Sequence, residues 1–417
     1  MPRSGSRWAA WAALDRRVWQ MAFARSANTM GLSLVMSFLG IYVVETRGYP
    51  AWLYGVIALV ANLGQSWSSA WAGNLSDRIG RLPLITNGLF VRSGVIALLG
   101  TQVFLDAPLW SLALNMVVSS MLRGCFEPVA YALVADVVTS DEQRIAAFGL
   151  QRMSTNFGWA IGPSLGGVLT LVMPYGLVFY ITAAGLVIAG IVTLGIVDPV
   201  AVKPPSARPT GELRSALREG WHDPLMRLLL AGTFLCALFE TQMFSTLGIY
   251  MTGELGLSKA DVGLLYTING AGVLLLQVPA LGLIRRLGIG RTLPWASLLD
   301  ALGFALIGLG SGFAGCAMAM ATLTCAEVLF DPAHQTAIAE VADPARRGRA
   351  FGVVAFVQMV GIACAPLLGG VLLDTIGDHH VTMWLAIASI GVAQTFCFVA
   401  FVRRRTAHRR SLDSPRT

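Results

Sequence analysis

Gly73-Asn74-Leu75-Ser76-Asp77-Arg78-Ile79-Gly80-Arg81 is the stretch on which the reading of this chain turns. It separates two long apolar runs, Trp52 to Trp71 and Pro83 to Phe104. Hydrocarbon offers nothing to Asp77, Arg78 and Arg81, so the chain must emerge into water here. Gly73 and Gly80 permit close packing and a sharp turn. Asp77 is suited to capping a helix N-terminus, and Arg78 and Arg81 to gripping carboxylates or helix C-termini.

The composition extends this pattern to the whole chain. Of 417 residues, 55% are hydrophobic and 13% charged, against about a quarter charged in a soluble protein. A helix crosses a bilayer with about 20 apolar residues. Two sets of six such stretches are expected. The first set lies near 18–46, 52–75, 83–105, 108–138, 145–172 and 176–197. The second lies near 225–251, 260–284, 292–312, 314–341, 349–373 and 381–402. Between the sets, 198–224 carries Pro199, Pro204, Pro205 and Pro209 among basic residues and reads as a linker. Its Glu212 to Trp221 portion is compatible with a short amphipathic helix on the membrane surface.

Charge placement sets the orientation. With both termini cytoplasmic, most of the 30 Lys and Arg fall on the cytoplasmic side, and Arg47 and Lys259 are the basic residues of the outer loops. This is the positive-inside pattern. The net charge of +7 is therefore a topology signal. With no soluble domain to carry a basic groove, no nucleic-acid partner is expected. The apolar run after Met1–Arg17 is too long for a signal peptide and lacks a clear cleavage site, so it reads as the first span. Cys125, Cys236, Cys316, Cys325, Cys364 and Cys397 all lie in apolar runs without C-x-x-C spacing, so no disulfide is expected. His379-His380 beside Asp374 and Asp378 reads as a solvated turn, and no metal site is expected.

The halves repeat one another. Phe126-Glu127-Pro128 returns as Phe330-Asp331-Pro332, Asp136 as Glu340, and Phe148-Gly149 as Phe351-Gly352. The opening stretch has a degenerate partner, Leu283-Ile284-Arg285-Arg286-Leu287-Gly288, which lacks the acid. Taken with this repeat, the opening stretch resembles the signature of the major facilitator superfamily, G-x-L-[AS]-D-R-x-G-R, at every specified position. The basic residue that usually follows is Leu82 here, and the next Pro is kept as Pro83. The resemblance implies an all-α integral membrane protein with 12 transmembrane helices in two pseudo-symmetric six-helix halves. The halves would span 1–197 and 225–402, joined by a cytoplasmic linker at 198–224 and followed by a basic cytoplasmic tail at 403–417.

A second motif narrows the expectation. Gly149, Gly158, Gly162-Pro163 and Gly166-Gly167 resemble the fifth-helix signature of drug:proton antiporters, G-x8-G-x3-G-P-x2-G-G. Glycines at helical spacing strip one face and admit a neighbouring helix, and Pro163 bends the helix. The resemblance implies that this face packs on the eighth helix and seals the outward leak. The eleventh span repeats it as Gly352, Gly361, Ala365-Pro366 and Gly369-Gly370. For the opening stretch, the resemblance implies a latch in which Arg78 pairs with Asp136 and Asp77 caps the start of the eleventh helix near Ala350. Gly73, Gly80 and Arg81 complete that latch.

Ionisable residues inside spans are the remaining signal, because each costs about 3 kcal/mol at mid-bilayer unless paired or wet. Arg123 and Glu127 stand four apart on the fourth span and share a face. Arg123-Gly124 resembles a fragment of the superfamily's fourth-helix motif, in which an Arg takes part in proton transfer. Glu240 lies in the seventh span, Asp300 in the ninth, and Glu327 and Asp331 in the tenth. Arg25, Arg92 and Arg152 sit nearer span ends, where long side chains can snorkel. Asn28 is among the polar candidates for a cavity lining. In the superfamily the first, fourth, seventh and tenth helices line the cavity, which puts Glu127, Glu240, Glu327 and Asp331 on the helices where proton coupling occurs.

The expected protein is a secondary transporter and not an enzyme. It is expected to exchange protons for amphiphilic or cationic drug-like compounds, drawing on the proton gradient and no cofactor. The expected setting is a monomer in the lipid bilayer of the inner membrane. The alternative is a proton-coupled carrier of a defined solute: a sugar, peptide, organic anion or lipid. Arg25 and Arg123 keep an anion in play.

Overall fold

The computed structural model describes residues 14–138, 141–197, 212–342 and 347–413, and these are helical almost throughout. Six long helices come first: α1 (Arg16–Ile41), α2 (Ala51–Ile79), α3 (Arg81–Phe104), α4 (Leu109–Val137), α5 (Asp141–Val172) and α6 (Tyr175–Leu194). A short amphipathic helix, α7 (Glu212–His222), precedes α8 (Pro224–Glu240), α9 (Lys259–Leu287), α10 (Ile289–Leu309), α11 (Gly312–Val341), α12 (Arg347–Ile376) and α13 (His380–Asp413). Nine stretches of the described residues are long and apolar enough to cross a membrane, the last of them running through α12 and α13. Leu275, Val278 and Trp295 are among many large apolar side chains on the outer surface, as suits helices dissolved in lipid.

The chain divides into two compact units. The first comprises Met1–Gly48, Val56–Ala207 and Ser258–Thr267, and the second Tyr49–Gly55, Arg208–Leu257 and Ile268–Thr417. In the first unit α1 packs most extensively on α5, and α3 on α6 and α4. In the second, α10 packs on α11 and α13, and α8 on α13 and α12.

The opening stretch is helical further than its charge implies. Gly73 to Ile79 belong to the end of α2, and the break is one residue, Gly80, at φ 92° and ψ 150°. Only glycine holds that conformation cheaply. The partner stretch does the same with Gly288 at φ 72° between α9 and α10. The stretch from 403 onward, expected as a basic tail, continues the helix of α13 as far as Asp413.

Two spans are irregular at their C-terminal ends. The helix α1 passes into a π turn at Tyr42–Thr46. The seventh span is broken: α8 stops at Glu240 and is continued by short helices at Gln242–Ser245 and Leu247–Gly253. Hydroxyls compete for the backbone here. Thr241 Oγ1 donates to Ala237 O at 2.7 Å and Ser245 Oγ to Thr241 O at 3.0 Å, the kind of back-bonding that bends helices. Asp374 is not turned toward the His pair. Its oxygens accept from the Ala51 and Trp52 amides at 3.0 and 2.6 Å and cap the start of α2.

Candidate functional site

The polar interior of the first unit is built around α4. Ser119, Arg123, Glu127 and Tyr131 stand four apart and form one stripe. Arg25 reaches this stripe from α1 and forms an ion pair with Glu127. It also donates from Nε to Gln151 Oε1 at 3.0 Å, and its guanidinium lies 4.0 Å from the Tyr131 ring centroid, a cation–π distance. Gln151, itself fully buried, is held by donating to Val18 O at 3.2 Å. Arg92 on α3 donates to Asn28 Oδ1 and, at 3.5 Å, to Ser119 Oγ. Arg123 donates to Gln65 Oε1 at 2.9 Å.

Arg123 and Glu127 share a face as their spacing requires, their partners come from other helices, and one expectation is corrected. Glu127 takes its ion pair from Arg25 on another helix, while Arg123, its neighbour on the same face, turns to Gln65. Arg25 and Arg92 do not snorkel. They are 1% and 3% exposed, because partly buried Glu127 and fully buried Gln151 and Asn28 supply the acceptors that water would otherwise offer. Arg152 is exposed.

The second unit holds an acidic interior. The carboxyl groups of Glu240 and Asp300 share a hydrogen bond, and Glu240 also contacts the Cys236 thiol. Two carboxyl groups bond in this way only with a proton between them. Asp331 lies within electrostatic reach of both, and Glu327 of Asp300. Asn269 Nδ2 donates to Glu327 Oε2 at 3.0 Å and to Thr324 Oγ1 at 3.1 Å. One turn further along α11, His334 Nε2 and Thr233 Oγ1 are 2.8 Å apart. Asp300, absent from the candidates on the seventh and tenth spans, is thus brought onto Glu240 by the packing of α10. Its isolated position in an apolar run was the available signal, but its partner was not visible from spacing.

At the latch, the partner of Asp136 is Arg81 rather than Arg78. Arg81 forms an ion pair with Asp136 and donates to Ala132 O, whereas Arg78 is exposed. The turn at Gly80 starts α3 with Arg81 facing the end of α4, and Arg78, three residues earlier on α2, points elsewhere. The side chain of Asp77 lies outside the described residues, as does the detail at Gly73. The repeat is not symmetrical here. The position of Arg81 is Ile289 in the second unit, and Glu340 is held instead by Arg405 from α13.

The glycine motif of α5 divides between two neighbours, which corrects the expectation of a single face on the eighth span. Side chains at Gly158, Gly162 and Gly166 would strike α1: a Cβ at Gly158 would lie 2.8 Å from Met30 N, and Ser33 and Phe38 stand against the other two. Only Gly167 meets the eighth span, 2.6 Å from Lys259 O and 3.0 Å from Gly263 Cα by the same measure. Pro163 is the proline within α5, and Gly149 lies in its first half. The repeat on α12 divides likewise. Gly361 and Gly369 back onto the seventh span, and Gly370 onto Ala51 and Trp52.

Long helices in two sets, nine stretches of them apolar enough to cross a membrane, with charged clusters within each unit, are the frame of an integral membrane protein. The Major Facilitator Superfamily model matches residues 21–248 and 229–417, and the chain belongs to that family. It is 24% identical over 414 residues to an uncharacterized MFS-type transporter, YqjV, of Bacillus subtilis, covering 95% of this chain and 97% of that one. It is 26% identical over 404 residues to the multidrug resistance protein MdtH of Escherichia coli, covering 91% and 93%. Among solved structures, the nucleoside transporter NupG superposes with a TM-score of 0.76 at 15% identity, over 93% of this chain and 99% of that one.

Proposed function

We propose that this transporter exports amphiphilic, drug-like compounds, cationic ones among them, in exchange for protons. The observation that carries the reading is the hydrogen-bonded Glu240–Asp300 pair with Glu327 and Asp331 close by. Four carboxyl groups in an apolar interior repel one another when ionised and relieve that repulsion by taking up protons. A cationic compound offers the same relief, so proton and compound compete for one cluster. Glu240 stands at the break between α8 and the short helix that follows, so a change in its charge acts at the irregular part of the span. The likeness to proteins named for multidrug resistance supports export. On this reading the protein works as a monomer in the inner membrane with both termini cytoplasmic, and the proton gradient is its sole drive.

The test is uptake of ethidium or Hoechst dye by inverted vesicles carrying the protein. An imposed pH gradient should drive accumulation, and collapsing the gradient should release it. Glu240→Gln and Asp300→Asn should each lower the proton-driven rate about tenfold or more, the scale set by removing a group used in every cycle. If folded protein moves no dye from a broad panel, multidrug export is wrong. A second reading, a carrier of one defined solute, draws on the arginines of the first unit and predicts saturable exchange of a single anionic compound.

A further inference from the structure

We propose that the Arg25–Arg92–Arg123 cluster of the first unit is a binding subsite for an oxyanion, in the first instance a carboxylate, carried by the transported compound. The inference rests on the transporter reading above, and not on its direction or its coupling to protons.

The charge balance leads to it. Among the described residues, Arg25, Arg92 and Arg123 form one electrostatic group with a single acid, Glu127. A carboxyl cluster neutralises itself by binding protons, but a guanidinium keeps its charge in proteins. The excess positive charge therefore persists at every pH the protein meets. Neutral acceptors absorb some of the N–H groups: Gln151 Oε1, Asn28 Oδ1 and Gln65 Oε1 are each taken by one arginine. They carry no charge to offset the excess.

The hydrogen bonds point the same way. Among the described residues, Arg25 Nη2, Arg123 Nε and Asn28 Nδ2 are buried donors with no acceptor. Arg25 is 1% exposed and Asn28 fully buried. All three are donors, and they belong to side chains already tied into the cluster. A buried donor without a partner is costly, and what these lack is an acceptor with negative charge. A carboxylate or phosphate group supplies that, and planar guanidinium groups match its geometry. The cluster also has an accessible edge. Glu127 is 26% exposed along its side chain, and Tyr131, whose ring covers the Arg25 guanidinium, is exposed. An aromatic or acyl body beside Tyr131 would leave its acid group facing the arginines. The compounds best suited to this unit are thus anionic or zwitterionic amphiphiles, a class that net hydropathy alone would not select.

The experiment is equilibrium binding to the full-length protein in nanodiscs of zwitterionic lipid, without a pH gradient. The probes are a naphthyl-tailed alkanoic acid, its methyl ester and its trimethylammonium counterpart. The acid should bind about tenfold or more tighter than the ester, the scale of a charge-assisted contact. Arg123→Gln and Arg92→Gln should erase that preference while leaving ester affinity unchanged, and Arg123→Lys should restore part of it. If an arginine variant does not fold, Glu127→Gln decides: removing the one negative charge should tighten the acid and not the ester. Equal binding of acid and ester by the native protein, or a preference unmoved in the folded variants, overturns the subsite. Loss of the preference on adding phosphatidylglycerol assigns the cluster to a lipid headgroup and overturns its role for transported compounds. Vesicle transport separates this idea from proton exchange. Proton-driven dye movement with equal acid and ester binding sinks the subsite alone, and an acid preference without proton-driven transport sinks the coupling alone.

Discussion

The pairing of Arg81 with Asp136 is open to a quantitative test, because the neighbouring Arg78 is a built-in control. The perturbation is a double-mutant cycle with Arg81→Gln and Asp136→Asn, set beside a second cycle in which Arg78→Gln replaces the first substitution. Side chains of Arg81 and Asp136 are 22% and 19% exposed, so the pair is neither buried nor free in solvent. Two unit charges about 4 Å apart attract by roughly 4 kcal/mol at an effective dielectric of about 20. Desolvation and screening at a partly exposed site remove much of this, leaving a coupling of about 1–3 kcal/mol. Arg81→Gln should also loosen its bond to Ala132 O, a loss that appears in the single variant and cancels in the cycle. The assay is reversible unfolding in mixed micelles, followed by helix content. Coupling for Arg78 and Asp136 should be about 0.3 kcal/mol or less, within the noise of independent sites. A larger coupling for Arg78 than for Arg81 would refute the geometry, and with it the assignment of the latch.

Other expectations follow from the same structure. Gly162→Leu should abolish recovery of folded protein on gel filtration, since the side chain would enter the ground of Ser33 and the Met30 carbonyl and overpacking costs about 1–3 kcal/mol even where neighbours yield. Gly288→Ala should destabilise by about 1–3 kcal/mol through backbone strain alone, because its φ is +72° and nothing lies within 4 Å of an added Cβ; a melting temperature unchanged from the native protein would contradict this. Arg405→Ala should remove the ion pair that Arg405 gives Glu340 and lower the melting temperature, while Arg403→Ala should not. At the start of α1, the Arg17 side chain, together with its amide, holds the Asp15 carboxyl below its ordinary range. Its capping contribution should then be present above about pH 4 and fade as the pH falls further, since a depressed carboxylate loses its stabilising effect on protonation. Asp15→Ala should flatten that part of the stability–pH curve.

Sequence alone determined which segments are helices and that they come in two sets. Apolar runs of membrane length leave the backbone no other way to satisfy its hydrogen bonds, and glycine and proline mark the ends. The repeat was legible in Phe126-Glu127-Pro128 and Phe330-Asp331-Pro332 because the two halves share one pattern. The acids and bases of the interior were legible as residues, since a charge within an apolar run has no neutral reading. Their partners were not. Helical spacing placed Arg123 with Glu127, and tertiary packing gave Glu127 to Arg25. Family likeness placed Arg78 with Asp136, and the turn at Gly80 gave that acid to Arg81. The glycines of α5 were read as one face on one neighbour, yet three back onto α1 and only Gly167 meets the eighth span. Asp300 was an isolated acid until α10 set it against Glu240. The reason is common to all four: spacing along a helix tells which side chains share a face, but which helix lies opposite that face, and at what height, depends on how the helices pack.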